Sequence, residues 1–348
     1  MNQKPWDKRM HYFFRFGTGG KIFKAHYREQ LENGECGQLK IRVGSKVEIA
    51  TYYDNFAAKD LIAWRKDIKA SPAHPLLRKL SSNAKTSIRE FIVAPKGSIF
   101  WIFDQDDLLA FEAVDDAVHD NTKFDDIHLD KQGNEKARTL AKARFFKCLR
   151  IVKRWEVPDI FATTDSSGFQ GTVLALRSPS KRANLEIAEA IVSGEPLVVS
   201  DNLSLLDYLS PIQLETFFFK FFDSAGYHVS GYRGASKRKV DLQIRRLEAD
   251  LSSKCGPFNV GEKTELQIKR TFHGDRAYVQ SYLSEEIYFV TLSELREPWK
   301  LSDPFLIDRE VLGDVVASRD AACAIEWARA SLMYEYISAQ PLTRKKSA

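Results

Sequence analysis

Two short segments of the chain alternate polar and apolar residues with the two-residue period of a β-strand. In one of them, Glu265, Gln267 and Lys269 alternate with apolar neighbours, so all three share one face of the strand. The other, Val240-Asp-Leu-Gln-Ile244, alternates in the same way and carries Asp241 on its polar face. The pattern therefore predicts two short strands, each of which presents polar groups from one face.

An acid on one strand and an amide with a lysine on another suit the metal-assisted hydrolysis of a phosphodiester bond. Asp241 would hold a divalent cation, which polarises the phosphate and lowers the pKa of a bound water. Lys269 would position that water or stabilise the developing negative charge. The same alternation also describes any half-buried strand, so the spacing alone leaves a purely structural interpretation open.

The flanking residues predict helices and strands in a definite order. In the segment 209–222, Ser210 and Pro211 are typical of a helix N-terminus, and leucine and phenylalanine follow at helical spacing. An extended segment begins at Val229, and a basic loop containing glycine leads into Asp241. A helix is predicted near Arg276–Leu283 and an aromatic, β-branched strand at 286–291. The predicted order is helix, strand, strand, strand, helix, strand.

This stretch, residues 208–295, resembles the nuclease domain of the Mrr-like restriction endonucleases, a branch of the PD-(D/E)xK superfamily. That family shows a helix with a glutamate, then Gly-Tyr, a basic glycine loop ending in an aspartate strand, and a strand with Gln-x-Lys. The corresponding residues here are Glu215, Gly226-Tyr227, Asp241 and Gln267-Ile-Lys269. The chain departs from the family at Lys239-Val240, which precedes the aspartate, and in the insert 245–264, which is longer and more polar than usual.

The resemblance implies a role for each of these residues. Asp241 would be the direct metal ligand, assisted by the amide oxygen of Gln267 and the backbone carbonyl of Ile268. The expected ion is Mg²⁺, with Mn²⁺ as an alternative, because the donors are oxygen atoms. Lys269 would lie beside the attacking water. Glu215 would hydrogen-bond a metal-bound water or Lys269, or else be an ordinary glutamate of the helix surface.

Two further sets of charged residues belong to the predicted site. Glu265 is an additional acid on the same strand face, and it would replace Gln267 as a metal ligand if the strand register were shifted. Basic residues beside the centre fit a polyanionic substrate, because phosphate neutralisation supplies most of the non-specific affinity for DNA. The expected DNA-binding residues are Arg233, Lys237, Arg238, Lys239 and Arg270.

The length of 348 residues predicts more than one domain. We expect an α+β domain at 1–165 that recognises DNA or a modified base or acts as a sensor, and a connector with one helix at 166–207. A nuclease domain at 208–345 would follow, with an α/β class and a mixed sheet flanked by helices. The four cysteines lack metal-binding spacing and no run of eighteen apolar residues occurs, which predicts a cytoplasmic protein without a membrane partner.

The N-terminal half contains a predicted helix at 86–93 followed by strands at 98–103 and 108–114. This arrangement weakly resembles PUA-like and EVE-like modules, which hold a flipped base in an aromatic pocket. The resemblance implies Trp64 and Trp101 as pocket residues. A role in the hydrophobic core is the alternative for each of these aromatic side chains.

Three other segments lead to structural predictions. Residues 136–154 combine basic and apolar residues, and we predict a helix with one solvated or polyanion-binding face. The segment Asp104–Asp107 lacks the glycine and glutamate of a calcium loop, and is predicted to be a charged hairpin tip. Residues 318–338 are predicted to form an amphipathic helix with Ser318 as its N-cap.

The sequence thus predicts a divalent-metal-dependent endodeoxyribonuclease, and the resemblance implies a role in restriction or anti-phage defence. Possible partners besides DNA are a second copy of the chain and other defence proteins. Two alternatives stay open: a catalytically inactive nuclease fold that binds nucleic acid or serves as a scaffold, and a structure-specific repair or RNA nuclease. The net charge of +5 is only mildly basic and does not separate them.

Overall fold

The structure of the protein is a computed structural model. It describes residues 9–15, 28–29, 37–44, 82–115, 119–121, 140–164, 172–176, 181–199, 201–231, 240–248, 251–272, 276–293, 303–332 and 336–339. The chain forms two compact units, one of residues 1–157 and 162–193 and the other of residues 158–161 and 194–348. The change of unit at 193/194 falls inside the segment that we expected to be a connector. Within the described ranges, every helix is too short or too polar to cross a membrane.

A mixed sheet organises the first unit. Its strands are β1 (His11–Phe14), β2 (Gly37–Gly44), β3 (Ile99–Asp104), β4 (Asp107–Ala113), β5 (His119–Asn121), β6 (Leu140–Lys153) and β7 (Val173–Ala175). The order across the sheet is β2-β6-β4-β3-β1-β7, and β5 also pairs with β6. β1 runs parallel to β3, whereas β3, β4 and β6 pair antiparallel. Its helices include α1 (Ser82–Val93) and α3 (Arg182–Ser193). The single turn α2 (Asp159–Ala162) begins within the segment 158–161 that belongs to the second unit.

The core of this unit lies between α1 and the sheet. The ring of Phe100 on β3 lies 6.2 Å from that of Phe14, 5.9 Å from that of Phe91 on α1 and 5.0 Å from that of Phe146 on β6. All four phenylalanines are fully or almost fully buried. The predictions of a helix near residue 86 and of two strands after it are confirmed.

The prediction of a basic helix at 136–154 is wrong, because residues 140–153 form the strand β6. Its residue Arg144 is completely buried and donates hydrogen bonds to the backbone carbonyls of Phe91 and Ala94 at the end of α1. A buried guanidinium requires acceptors for its donors, and here two carbonyls at the helix end and the carbonyl of Asp115 accept from its two terminal nitrogens. Basic residues in this segment therefore contribute to the fold of the unit as well as to its surface.

The expectation of a charged hairpin tip at Asp104–Asp107 is confirmed, since these residues join β3 to β4. Arg28 donates to the Asp104 carboxylate over 2.6 Å, and Lys153 lies 2.5 Å from the Asp107 carboxylate. Burial raises the pKa of Asp107, but hydrogen bonds from Lys153 and Arg28 outweigh it and hold that pKa below its ordinary value. Asp104 and Asp107 are therefore paired with basic side chains.

The second unit contains a five-stranded sheet in the order β15-β14-β13-β10-β9. Its strands are β9 (His228–Gly231), β10 (Leu242–Arg245), β13 (Thr264–Lys269), β14 (Tyr288–Thr291) and β15 (Leu306–Ile307). Two strand pairs accompany it, namely β11 (Lys254–Cys255) with β12 (Phe258–Asn259), and β8 (Leu197–Val199) with β16 (Ile337–Ala339). The helices are α4 (Asn202–Leu206), α5 (Pro211–Ser224), α6 (Arg276–Leu283), α7 (Arg309–Ala317) and α8 (Ala322–Ser331). The mixed α/β class and the predicted order of elements around β9–β14 are therefore present.

Helix α5 begins where the sequence predicts it. The Ser210 hydroxyl accepts from the backbone N–H of Gln213, and the Gln213 side chain accepts from the backbone N–H of Ser210, which forms a capping box. The buried residues of the helix are Leu214, Phe217, Phe218, Phe221 and Phe222. The rings of Phe218, Phe221 and Phe222 pack around Phe258 of the small β11–β12 hairpin, so the polar insert between β10 and β13 closes this side of the core.

The prediction of one continuous helix at 318–338 is wrong. α7 ends before Ser318, a short 3₁₀ turn occupies Arg319–Ala321, and α8 ends at Ser331, after which β16 pairs in parallel with β8. The Ser318 hydroxyl donates to the carbonyl of Val315 and caps no N-terminus. Ser318 therefore ends one helix instead of beginning the next.

Candidate active site

The two faces of β13 have different surroundings. Leu266 lies beside Tyr288, whose ring packs against Phe258 under α5, so Leu266 and Ile268 are on the α5 side of the sheet. Leu266, Gln267 and Ile268 are all buried, at 0%, 3% and 5% exposed, so the faces differ in what they pack against and not in exposure. Gln267 and Lys269 lie on the opposite face, because successive side chains of a strand alternate. In the parallel pairing with β14, Gln267 lies beside Phe289 and Lys269 beside Thr291. The predicted register of this strand is confirmed.

Asp241 lies immediately before β10 and contacts β13 through its side chain. Its Oδ2 accepts a hydrogen bond from the Gln267 side-chain amide and one of 2.7 Å from the backbone N–H of Ile268. The backbone N–H of Asp241 donates to the carbonyl of Leu266 over 2.8 Å. The structure therefore brings together the acid and the amide that the sequence placed on separate strands.

The end of the β10–β13 pairing positions the backbone of Ile268. The paired residues of these strands run from Ile244 with Thr264 to Leu242 with Leu266, so Ile268 lies beyond them. Its N–H points to the Asp241 carboxylate. The N–H and C=O of one strand residue point to the same edge, so the Ile268 carbonyl is directed to the Asp241 side as well. Both backbone groups of Ile268 thus face the strand edge on which Asp241 lies.

The charge of Asp241 is held in a partly buried environment. Burial raises the pKa of Asp241 above its ordinary value, although the Ile268 N–H, the positive charge of Lys269 and the Gln267 amide each lower it. The positive charge of Lys269 is therefore close enough to lower the pKa of this carboxylate. A cation at the remaining oxygen, Oδ1, would reverse the effect of burial, because an adjacent positive charge favours the ionised form.

The oxygen donors at this place fit a hard divalent ion. They are Oδ1 of Asp241, the carbonyl of Ile268 and, after a half-turn of the amide group, Oε1 of Gln267. Mg²⁺ needs few protein ligands, because waters and substrate phosphate oxygens complete its octahedron. Within the described ranges, no group of three or more His, Cys, Asp or Glu residues is placed to hold a metal. The predicted set is of a different kind, with a single carboxylate.

Glu265 is not the partner of Asp241. It lies opposite Gln243 on β10, accepts from the Gln243 amide over 3.3 Å, and lies 2.9 Å from the ammonium group of Lys263. The alternative register, in which Glu265 would replace Gln267 as a metal ligand, is therefore wrong. The polar row on this face of the sheet continues from the Asp241–Gln267 pair to the Gln243–Glu265 pair.

Arg270, which was predicted to bind DNA, has a structural role instead. Its guanidinium donates to the backbone carbonyl of Leu209 over 3.1 Å and to that of Asp207, just before α5. Burial lowers the pKa of Arg270, and the charge of Asp207 opposes this effect. Both donor contacts fix the start of α5 against the end of β13. We therefore correct its assignment from DNA contact to stabilisation of this junction.

The other predicted site residues of the second unit are Glu215 and a set of basic residues. Glu215 is half-buried in the second turn of α5, which packs against the other face of the sheet, and its catalytic role stays a prediction. The basic residues Arg233, Lys237, Arg238 and Lys239 lie outside the described ranges. Their proposed contact with DNA also stays a prediction.

The aromatic base pocket is not supported by the position of Trp101. This residue is 0% exposed, and its indole N–H donates to Nδ1 of His11 over 3.1 Å. Nδ1 is therefore the acceptor nitrogen, so Nε2 carries the proton and donates over 2.6 Å to the Glu189 carboxylate. Trp101 belongs to a buried polar chain of the core, and its assignment to a base pocket is wrong. Trp64, the other predicted pocket residue, lies outside the described ranges.

A set of aromatic residues that was not predicted from the sequence lies on the same face as the site. Phe272, Tyr278 and Tyr282 gather around Phe289, with ring centroids 5.5, 6.2 and 5.7 Å from it. The helical spacing of Tyr278 and Tyr282 was a usable signal, because residues four apart share one helix face. What the sequence did not reveal is that this face lies beside Gln267.

Comparison of the chain with models of protein families, with curated proteins and with solved structures found no match. The interpretation of the site around Asp241 therefore depends on its residues and their geometry.

Proposed function

We propose that this protein is a divalent-metal-dependent endonuclease that hydrolyses phosphodiester bonds in DNA, with a core of the PD-(D/E)xK type in its second unit. The observation that carries the proposal is the convergence of Asp241, Gln267 and the Ile268 backbone, with Lys269 on the same strand face. These are the oxygen donors and the cation that metal-assisted phosphodiester hydrolysis requires, at the end of a rigid sheet.

The residues would divide the chemistry between them. A bound Mg²⁺ would supply a Lewis acid and lower the pKa of a water. Asp241 would provide the negative charge that holds a cation at the strand end, and the Gln267 amide, which donates to that carboxylate, would offer Oε1 to the cation after a half-turn. Lys269 would donate to the attacking water or to a phosphate oxygen, where negative charge develops in the transition state.

A role in restriction or anti-phage defence is the biological context we propose, and its support is the resemblance of Glu215, Asp241 and the Gln267-Ile-Lys269 segment to Mrr-like nucleases. The basic segment from Arg233 to Lys239 supports a polyanionic substrate. DNA in a prokaryotic cytoplasm is the proposed target, and a second copy of the chain or another defence protein is a proposed partner.

The experiment is a cleavage assay with the full chain and supercoiled plasmid, in Mg²⁺, in Mn²⁺ and in EDTA. Plain, methylated and hydroxymethylated DNA, branched DNA and RNA are compared as substrates. Asp241→Asn should abolish cleavage and leave folding nearly unchanged, because asparagine keeps an oxygen acceptor for the Ile268 N–H. Asp223→Asn is the matched control, since Asp223 is an exposed carboxylate at the end of α5. Retained cleavage by Asp241→Asn would exclude this site.

An inactive nuclease fold is the second candidate function, and one observation favours it. Both hydrogen bonds that Asp241 Oδ2 accepts come from within the protein, so the carboxylate also serves to close the end of the β10–β13 pair. If that is its only role, the wild-type protein will bind DNA without cleaving any of the substrates. Asp241→Asn would then leave both binding and stability unchanged.

A further inference from the structure

An aromatic cluster borders the proposed active site on one side. We define it as Phe272, which follows β13, Tyr278 and Tyr282 of α6, and Phe289 of β14. Gln267 lies beside Phe289 in the parallel register, so both side chains are on the same face of the sheet. The Asp241 carboxylate accepts a hydrogen bond from the Gln267 amide, so it contacts this face of the sheet. The aromatic cluster and the Asp241 carboxylate are therefore neighbours on one face.

The direction of α6 brings its first turn to the end of the sheet that carries the site. β13 and β14 are parallel, and α6 is the connection between them. A crossover helix starts near the end of the first strand and returns to the beginning of the second. Tyr278, in the first turn of α6, therefore lies near the Lys269 end of β13, and Leu283 lies near the opposite end.

Tyr278 differs from the other members of the aromatic cluster in its exposure. It is 41% exposed, whereas Tyr282 is 6% exposed and Phe289 is fully buried. Its ring lies nearly parallel to that of Phe272, at an angle of 17° and a centroid distance of 6.4 Å. Its hydroxyl lies 3.1 Å from that of Tyr282. The ring of Tyr278 thus packs against the core on one side while a large part of it is exposed to solvent. Because these contacts already restrict the side chain, little side-chain entropy would be lost on binding.

We infer that Tyr278 is a stacking surface for a base of the nucleic-acid strand that occupies the Asp241–Lys269 centre. This inference rests on the proposed function, because it assumes a substrate strand at that centre. A phosphate near Lys269 brings its flanking nucleotides along the same face, and α6 forms the wall that they would meet. Stacking suits this position, because every base has a π-face and contact with it requires no particular sequence. Tyr278 would position the strand and take no part in the chemical step.

Base stacking can be measured apart from cleavage. The test uses the full chain in the Asp241→Asn background, with a chelator present. The probes are a single-stranded oligodeoxynucleotide that carries 2-aminopurine at successive positions, and a duplex with one unpaired 2-aminopurine. The readouts are the dissociation constant and the quenching of 2-aminopurine fluorescence, which reports stacking directly. Urea unfolding of each variant shows whether it folds.

Four substitutions separate stacking from other roles. Tyr278→Ala should weaken binding about 5- to 150-fold and remove the quenching at one probe position, because stacking on one base has that magnitude. Tyr278→Leu should behave in the same way although it keeps apolar bulk. Tyr278→Phe should retain both affinity and quenching, since the ring remains. Gln280→Ala, at an exposed position of the same helix, is the control and should change neither.

Each outcome has a definite meaning. Unchanged affinity and unchanged quenching in folded Tyr278→Ala, with a wild-type protein that cleaves DNA, would overturn this inference and leave the proposed function intact. Loss of binding in Tyr278→Phe to the same extent as in Tyr278→Ala would show a hydroxyl contact, and would overturn stacking. Binding and quenching that depend on the ring, in a protein that cleaves no substrate, would support the inference while the nuclease proposal fails. No binding of either probe would overturn it.

Discussion

A substitution of Arg270 tests whether this arginine stabilises the fold or contacts DNA, because the two roles predict opposite effects on stability. Arg270→Ala removes two hydrogen bonds from a guanidinium to the carbonyls of Asp207 and Leu209. Hydrogen bonds to charged groups contribute roughly 1.5–3 kcal/mol each, and the two share one side chain, so we expect a loss of about 3 kcal/mol in unfolding free energy. The junction between β13 and α5 is the part that should weaken.

Equilibrium urea unfolding of the full chain measures this effect. With a denaturant slope of roughly 2 kcal/mol per molar, the midpoint of the transition that reports the second unit should fall by about 1.5 M. Arg319→Ala is the control, because Arg319 is exposed in the turn before α8. A residue that only contacts DNA would behave in the opposite way, with unchanged stability and a smaller dependence of binding on salt. That opposite result for Arg270→Ala would refute the structural assignment.

Three further predictions follow from burial and contacts. Lys269→Ala should lower the rate of cleavage roughly 10²- to 10³-fold with little loss of stability, because it removes one group that stabilises the transition state from a half-buried position. Ile268→Asp should instead lower the unfolding free energy by more than about 4 kcal/mol and unfold the second unit, because it buries an unpaired charge. Plasmid cleavage and urea unfolding check both, and an Ile268→Asp variant that is inactive but fully stable would contradict the strand orientation. Trp101→Ala should destabilise the first unit by about 3–5 kcal/mol without a selective loss of modified-base recognition, as measured by unfolding and by binding to modified DNA. Burial, with the charge of Asp320 adding to it, raises the pKa of Cys255 to about 12. A thiol reagent at pH 8 should therefore label the exposed Cys323 and leave Cys255 unmodified until the chain unfolds. Rapid labelling of Cys255 in the native protein would contradict this, because it would show that the core around Cys255 opens.

Local patterns in the sequence determined the elements that carry the site. Ser210 and Pro211 specify the start of α5, and the structure begins the helix there, with Gln213 completing a capping box. The alternation along β13 likewise determined which side chains share a face, because the strand period is two and any core must bury Leu266 and Ile268. Both features depend on interactions between residues close in the chain, which is why they could be read from it.

Tertiary structure decided the features in which distant segments meet. The basic and apolar residues of 140–153 suit a helix in isolation, but β2, β4 and β5 offer strand partners, and the buried Arg144 finds its acceptors at the end of α1. The same reason explains Trp101, whose partner His11 lies on β1, ninety residues earlier. A side chain of either type can face solvent, a ligand or the core, and local spacing does not distinguish these.

The site itself shows both contributions. The sequence determined that Asp241, Gln267 and Lys269 are polar residues of short strands, since that follows from alternation alone. Only the fold decided that Gln267 and not Glu265 meets Asp241, that Arg270 is committed to two backbone carbonyls, and that Tyr278 stands beside the site. Register between strands and the placement of a crossover helix are set by the packing of whole faces, and that packing is a sum over residues far apart in the chain.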